Sequence, residues 1–150
     1  MNIIIDADAC PVQTEIINIA QIYELPVTLV KSYAHYSSEA LPSHVSVVYV
    51  DKGAEMADFK IIQLAKQSDL VITQDYGLAS MALGKKCYVM HHTGFMYTAK
   101  NIDNLMARRH ANQAARRAGY KTKGPKAFTA EDRSNFAHFF EKTILQIITG

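Results

Sequence analysis

Short apolar runs alternate with amphipathic helical patterns through residues 1–95, and this alternation strongly limits the folds open to the chain. The runs predicted as strands are 2–5, 27–30, 45–50, 70–73 and 87–90. Apolar residues at helical spacing lie between them, at 12–23, 54–66 and 78–83. Parallel strands need crossover connections, usually helices, which cover the faces of the sheet. The pattern therefore predicts an α/β fold with a mostly parallel, Rossmann-like sheet of about five strands flanked by helices.

The last third of the chain has a different pattern and predicts a helical extension. The segment 101–118 favours a helix, but its apolar residues form no single stripe, which either a bend or loose packing would explain. Thr129 and Asp132 have the spacing of a capping box at the start of a final helix. The docking stripe predicted for that helix is Phe136, Phe139, Phe140, Ile144, Ile147 and Ile148. We expect a single domain, 1–150, whose sheet core, 1–95, carries the docked basic part, 96–150.

The net charge of +2 conceals two parts of opposite sign. Residues 1–95 hold six lysines and ten acids, a net charge of −4. Residues 96–150 hold ten lysines and arginines against four acids, a net charge of +6, and include all five arginines. Such a division favours an anionic partner more than the total charge does.

Neither a membrane span nor a secretory signal is expected. No apolar run approaches the roughly 18 residues that a span needs, and no basic region precedes the first apolar run. The two cysteines, Cys10 and Cys87, have no metal-ligand spacing and make no disulfide framework, which favours a reducing compartment. These features predict a cytoplasmic protein without a membrane partner.

Carboxylates follow two predicted strands and open one predicted helix. Asp6 and Asp8 end the first strand, and Asp75 follows the fourth. In an open parallel sheet, ligands bind beyond the carboxyl ends of the strands, so these side chains are expected to converge. Glu55 and Asp58 lie one helical turn apart on one face. Because such a cluster repels itself without a cation, the sequence predicts bound Mg²⁺ or Mn²⁺.

Each acid also has a structural interpretation. Asp8 would serve to cap the helix that starts near Pro11. Glu55 and Asp58 would form a solvated first helical turn, which the helix dipole favours. Asp103, which opens the segment after the fifth strand, is an additional candidate ligand.

Three other side chains are left out of the predicted site. Cys10 precedes a helix, where the pKa of a thiol can fall, but it has no neighbouring base in sequence and is interpreted as packing. His91 and His92 follow the fifth strand. Adjacent side chains of an extended segment point to opposite sides, so at most one of them is expected to face the acids.

Basic residues of the last third are candidates for contacting phosphates. They are Arg108, Arg109, Arg116, Arg117, Lys121, Lys123 and Lys126. Contacts to phosphates give affinity without sequence selectivity, and Tyr97 and Tyr120 are candidates to stack on unpaired bases. The alternative is a solvated helix, since arginine is a good helix former. The predicted partner is RNA or another polyanion.

The hexapeptide Asp6-Ala7-Asp8-Ala9-Cys10-Pro11 after an apolar strand resembles a motif of the YaiI/YqxD family of small bacterial proteins. Four further stretches support the resemblance in the same order along the chain. They are 53–58, 69–75, Gly94…Tyr97…Asn101-Ile102, and Gly124-Pro125 followed by Asp132-Arg133. The resemblance covers nearly the whole chain. Two departures are Glu55, where the family often has aspartate, and Gly77, where proline is usual.

That family is similar to PIN-like and NYN-like nuclease domains, so the resemblance implies a PIN-like fold and metal-dependent cleavage of RNA. In those domains a strand-ending aspartate, a helical acid and the acid of a Thr-x-Asp motif hold divalent metal. The matching residues here are Asp6 (with Asp8), Asp58 and Asp75, which the resemblance makes both catalytic and metal-binding.

Three functions follow as hypotheses. The first is a Mg²⁺- or Mn²⁺-dependent nuclease that hydrolyses RNA phosphodiesters. The second is a non-enzymatic nucleic-acid-binding protein with a degenerate acid pocket. The third and weakest is a phosphatase of the haloacid-dehalogenase type, with Asp6 as nucleophile and Asp8 as general acid. Against the third, Cys10 stands where threonine or valine is usual and the chain has no insertion of the size of a cap.

Overall fold

The computed structural model describes residues 1–53, 55–121 and 127–150 and has a six-stranded sheet at its centre. The strands are β1 (Ile3–Asp6), β2 (Val27–Ser32), β3 (Val45–Val50), β4 (Leu70–Ile72), β5 (Tyr88–His91) and β6 (Phe95–Met96). Their order is β3-β2-β1-β4-β5-β6, and only the β5–β6 pair is antiparallel. The predicted α/β fold with a mostly parallel sheet is confirmed. The sequence pattern does not predict β6, a two-residue strand that follows a turn at Gly94, whose φ of +97° suits glycine.

Helices cover both faces of this sheet, as a parallel sheet requires. They are α1 (Gln13–Ile22), α2 (Met56–Leu64), α3 (Tyr76–Gly84), α4 (Ile102–Arg117) and α5 (Ala130–Thr149). One core cluster joins Ile3 and Ile5 of β1 to residues of α1 and α5. A second joins Ile4 to residues of α2 and α3. All three isoleucines are fully buried, which places β1 at the centre of both cores.

The order of the strands locates the expected ligand site. The chain winds outward from β1 to β2 and β3 in one direction, and through β4 to β5 in the other. The direction therefore reverses between the neighbouring strands β1 and β4, and a crevice at such a switch point is where open α/β sheets bind ligands. The residues that follow these two strands become the first candidates for a site.

The two C-terminal helices pack differently. α4 is one continuous helix in which only Ile102 is buried, with Leu105 partly packed on the second core, so loose packing explains its irregular pattern. In α5, Phe136, Phe140 and Ile144 are buried as predicted, whereas Ile148 is 46% exposed and lies outside the docking stripe. None of the described helices combines the length and the apolarity needed to cross a membrane.

The predicted capping box of α5 is confirmed. The Thr129 hydroxyl accepts a hydrogen bond from the backbone N–H of Asp132 at 3.1 Å, and the Asp132 carboxylate accepts one from the N–H of Thr129 at 2.9 Å. We expect Thr129→Ala to lower the free energy of unfolding by about 1 kcal/mol in a urea titration, because an N–H at the helix start loses its acceptor. Thr129→Ser should retain the wild-type value. Equal unfolding midpoints for the alanine and serine variants would contradict this role.

Candidate active site

A buried threonine links the ends of the two central strands. The β1–β4 register pairs Ile5 with Ile72, which brings the next residues, Asp6 and Thr73, together. The Thr73 hydroxyl donates to Oδ2 of Asp6 at 2.9 Å and accepts from the backbone N–H of Asp75 at 3.0 Å. One hydroxyl thereby fixes the position of both aspartates. Thr73 was not among the predicted site residues, although its place in the Thr-x-Asp motif was a usable signal.

Asp75 has a second structural role at the start of α3. Its Oδ1 accepts a hydrogen bond from the backbone N–H of Leu78 at 3.0 Å and so caps the helix. Within the described residues, hydrogen bonds engage only Oδ2 of Asp6 and only Oδ1 of Asp75. The second oxygen of each carboxylate therefore accepts no hydrogen bond from the described residues.

Asp58 completes what we call the acid cluster: Asp6, Asp58 and Asp75. It lies in the first turn of α2, where burial raises its pKa to about 6, with further increases from Asp75, Asp6 and the nearby Glu55. Burial also raises the pKa of Asp6; the hydrogen bond from Thr73 opposes this, and Asp75 adds to it. The structure thus places the three aspartates and Glu55 within electrostatic range of one another.

Asp8 does not point with Asp6, contrary to the expectation from their spacing. The chain leaves β1 at Asp6 and makes a 3-10 turn over Ala7–Ala9, so the alternation of an extended strand no longer applies. Both oxygens of Asp8 accept the backbone N–H of Ser32 at 3.1 Å, and Oδ1 lies 2.8 Å from Nδ1 of His35. Asp8 is accordingly the weakest contributor to the raised pKa of Asp6.

Two cavities lie between α4 and two members of the acid cluster, Asp58 and Asp75. One, of about 470 Å³, is lined by Glu55, Asp58, Asp75 and Arg109 among others. The other, of about 440 Å³, is lined by Asp75 and by three arginines of α4. We call these three, Arg108, Arg109 and Arg116, the arginine face. Asp75 and Arg109 line both cavities, so both spaces hold an acidic and a basic side chain.

The other predicted residues lie elsewhere. Asp103 is exposed in the first turn of α4 and lines neither cavity. Arg117 and Lys121 are also exposed and line neither cavity. Lys123 and Lys126, with the Gly124-Pro125 motif, lie outside the described residues. Across residues 1–53, 55–121 and 127–150, no group of three or more His, Cys, Asp or Glu side chains is already arranged to hold a metal ion.

Tyr97 has a different position from the one predicted. It is only 2% exposed, so it cannot stack on a base, whereas Tyr120 is 73% exposed. The Tyr97 hydroxyl donates to the carbonyl oxygen of Thr73 at 3.2 Å, and its ring meets Tyr76 edge-on. Burial raises the pKa of its phenol, which keeps the proton available for that hydrogen bond. Tyr97 therefore supports the Thr73 backbone from beneath the acid cluster.

The two histidines pack on each other rather than pointing apart. β5 ends at His91, so the chain turns and brings the His92 ring to 4.4 Å from that of His91. Burial and the neighbouring His92 lower the pKa of His91 to about 4, so His91 is neutral at pH 7. Burial raises the pKa of the Cys10 thiol to about 11 and leaves it protonated, which agrees with a packing role.

Comparison with known proteins places this architecture in a family. A family model described as "Uncharacterized BCR, YaiI/YqxD family" matches residues 4–146. The chain belongs to the YaiI/YqxD family. It is 53% identical over 144 residues to a UPF0178 protein of Bacillus cereus, covering 96% of this chain and 99% of that protein. It is 52% identical over 149 residues to a UPF0178 protein of Oceanobacillus iheyensis, covering 99% of both. No solved structure matches the chain.

The YaiI/YqxD match confirms the family predicted from the hexapeptide. Its span, 4–146, contains the whole acid cluster and all of α4. The acid cluster and the arginine face therefore both lie within the region that matches the family model. The names of these relatives specify a family and no activity, so the similarity to PIN-like nucleases stays a prediction.

The raised pKa of Asp58 predicts a pH-dependent stability for this YaiI/YqxD protein. Its folded pKa of about 6 lies above the ordinary value of 3.8, so ionisation destabilises the fold. The loss of folding stability begins as pH rises through 3.8 and is complete above about 6. In EDTA, Asp58→Asn should raise the midpoint of thermal unfolding at pH 8, with a smaller gain at pH 4.5. The exposed-site variant Asp103→Asn should show no such change with pH, and an equal gain for Asp58→Asn at both pH values would contradict the account.

Proposed function

We propose that this protein is a Mg²⁺- or Mn²⁺-dependent nuclease that hydrolyses phosphodiesters of RNA. One observation carries the proposal: the acid cluster lies at the switch point of the sheet, and two of its members, Asp58 and Asp75, share a cavity with Arg109. Carboxylates that repel one another suit a divalent cation, and an adjoining guanidinium suits a phosphate. The pairing of the two in one crevice matches the needs of a phosphodiester substrate.

The residues present fit a hard divalent cation. Asp6, Asp58 and Asp75 offer oxygen ligands, which Mg²⁺ and Mn²⁺ prefer, and Glu55 is a further candidate beside them. The raised pKa values of Asp6 and Asp58 reflect burial and repulsion, which a bound cation would relieve. Binding needs rotation of these side chains, since the described residues hold no preformed ligand group. A cation bound there supplies Lewis-acid stabilisation of a phosphoryl oxygen and activation of water.

The protein's own groups hold and orient the substrate. Arg109 lines both cavities, so a phosphate bound by its guanidinium lies next to Asp75. Arg108 and Arg116 line the same cavity as Asp75 and extend the positive surface along α4. Thr73 holds the Asp6 carboxylate and the backbone N–H of Asp75, and Tyr97 in turn holds the carbonyl oxygen of Thr73. A substrate backbone that follows α4 is thereby directed into the acid cluster.

Cleavage of labelled single-stranded RNA by purified protein tests the proposal. We expect cleavage with Mn²⁺ and none with EDTA. Asp6→Asn and Asp75→Asn should abolish it. Equal cleavage by the wild type and both variants would identify a contaminating nuclease and contradict the proposal.

A second candidate function is nucleic-acid binding without catalysis, which the exposure of α4 favours. This helix buries only Ile102 of its 16 residues, and its arginines are exposed at the surface. Binding by these arginines alone would persist in EDTA and in Asp75→Asn and would weaken steeply with salt. We do not extend the proposal to phosphatase chemistry, because the carboxylate of Asp8 is occupied by Ser32 and His35 rather than placed beside Asp6.

A further inference from the structure

Three tyrosines form an exposed cluster at the carboxyl ends of β2 and β3. The rings of Tyr33 and Tyr49 stack with centroids 5.6 Å apart and planes 16° apart. Tyr36 lies against the same Tyr49 ring at 5.2 Å and 44°. Tyr33 is 58% exposed and Tyr36 is 65% exposed, so two of the three rings present most of their surface to solvent. We call these three residues the tyrosine platform.

Hydrogen bonds hold the Tyr49 side chain and the backbone that carries the other two tyrosines. The Tyr49 hydroxyl accepts from the N–H of Ser37 and donates to its carbonyl oxygen, both at 3.4 Å. Tyr33 opens a 3-10 turn that ends in a backbone hydrogen bond from Tyr36 to Tyr33 at 3.1 Å. Aromatic rings that already pack on one another lose less side-chain entropy when a flat ligand binds.

Asp8 ties the platform to the candidate active site. It pairs with His35, inside the turn that carries Tyr33, and accepts the N–H of Ser32 at the end of β2. Asp8 lies two residues beyond Asp6, and β3 lies two strands from β1, about 10 Å away. The platform and the acid cluster are therefore held at a fixed separation on the same edge of the sheet.

The side chain of Lys31 places a positive charge beside the rings. Lys31 is paired in register with Tyr49 across β2 and β3, so the two side chains lie side by side on one face. The Lys31 ammonium group makes no hydrogen bond or ion pair with any other described residue. An aromatic surface with an adjacent ammonium group complements a nucleotide, whose base stacks while its phosphate contacts the cation.

We propose that the tyrosine platform binds unpaired bases of single-stranded RNA and that Asp8 is a positioning residue for it. This inference rests on the proposed function and specifies its substrate class. Duplex RNA stacks its bases within the helix and offers no free base faces, whereas a single strand does. Bases bound at the platform place the following part of the strand over the ends of β2 and β1, toward the acid cluster.

Binding in EDTA separates this inference from catalysis. A short fluorescein-labelled oligouridylate and the full chain are used, with affinity read by fluorescence anisotropy. We expect Tyr33→Ala and Tyr36→Ala each to weaken binding by about tenfold, the effect of losing one base–aromatic stack. Tyr36→Phe should retain affinity because it keeps the ring. Tyr88→Ala is the matched control, since Tyr88 is 40% exposed at the start of β5 on the opposite edge.

The outcomes distinguish the two proposals. Weaker binding by the alanine variants, without RNA cleavage by the wild type in Mn²⁺, would support the platform and contradict the nuclease. Wild-type affinity in Tyr33→Ala and Tyr36→Ala, with normal cleavage, would overturn the platform and leave the nuclease standing. The platform proposal would also be overturned if the alanine variants lost as much affinity for a blunt RNA duplex as for the oligouridylate. Failure of the wild type to bind the oligouridylate would overturn it too, and a protein partner would then be the alternative occupant.

Asp8→Asn tests the positioning role by a separate readout. Asparagine can still accept from Ser32, but a neutral amide replaces the carboxylate that lies 2.8 Å from Nδ1 of His35. We expect weaker oligouridylate binding in this variant with an unchanged Mn²⁺ affinity. A loss of Mn²⁺ affinity with unchanged RNA binding would assign Asp8 to the metal site and overturn its positioning role.

Discussion

Asp75→Asn is expected to lower Mn²⁺-dependent RNA cleavage by about a hundredfold or more, because loss of one anionic ligand removes several kcal/mol of transition-state stabilisation. The fold should survive the change. Asparagine caps helices about as well as aspartate, so its side-chain oxygen can still accept from the N–H of Leu78. The N–H of residue 75 that donates to the Thr73 hydroxyl belongs to the backbone, so that hydrogen bond is unaffected.

Asp6→Asn should have the same effect on cleavage for the same reason. The amide oxygen can replace Oδ2 as the acceptor for Thr73, while the negative charge is lost. Asp103→Asn is the matched control, since that aspartate is exposed on α4 and lines neither cavity. Circular dichroism and thermal unfolding establish that all three variants are folded. Cleavage by Asp75→Asn at the rate of Asp103→Asn would remove the acid cluster from the reaction.

Arg109→Gln is expected to weaken binding of single-stranded RNA by about tenfold at low salt, since hydrogen bonds between charged groups contribute roughly 1.5–3 kcal/mol. Loss of one phosphate contact should also reduce the slope of log affinity against log salt by about one. Because Arg109 lines both cavities beside Asp75, cleavage should fall together with binding. Affinity is measured by anisotropy over a range of salt concentrations in EDTA.

Arg117→Gln provides the matched control on the same helix. Arg117 is exposed and lines neither cavity, so its replacement removes the same charge without disturbing the arginine face. A smaller effect on affinity and an unchanged cleavage rate are expected. Equal losses in both variants would show that α4 acts only through its total charge, and the local role of Arg109 would then be wrong.

The strands were predictable because their residue types and length leave few alternatives. β3 begins and ends where the sequence pattern predicts, at Val45–Val50, and β1 differs by one residue at each end. The switch point follows from the sheet order, which sequence alone does not give. Once β1 and β4 are neighbours, the proximity of Asp6 to Asp75 needs no further explanation.

The predictions for individual side chains were wrong where a local turn of the backbone breaks the alternation expected of a strand. Asp8 turns away because a 3-10 turn follows β1 directly. His92 stacks on His91 because the strand has already ended. Tyr97 is buried because β6, two residues long and too short to recognise, folds it back under the site. In each case one or two residues of a turn or a strand end decide the direction of a side chain, and a periodic pattern does not predict where such a turn falls.

Groups of residues distant in sequence were also beyond prediction. Tyr49 lies 13 or more positions from the other two rings of the tyrosine platform and meets them only because β2 and β3 pair. The arginine face was predicted as a set of charges, but its position beside Asp75 depends on the packing of α3 and α4. These arrangements are tertiary and have no signal in the local sequence.

Titration of Mn²⁺ followed by electron paramagnetic resonance tests the central claim most directly, because it detects metal binding without requiring a substrate. The wild type should reduce the signal of free Mn²⁺ with a saturable binding curve at pH 8. Asp6→Asn and Asp75→Asn should leave that signal unchanged over the same range, while Asp103→Asn should bind as the wild type does. Binding curves that are the same for the wild type and for Asp75→Asn would contradict a metal site at the acid cluster.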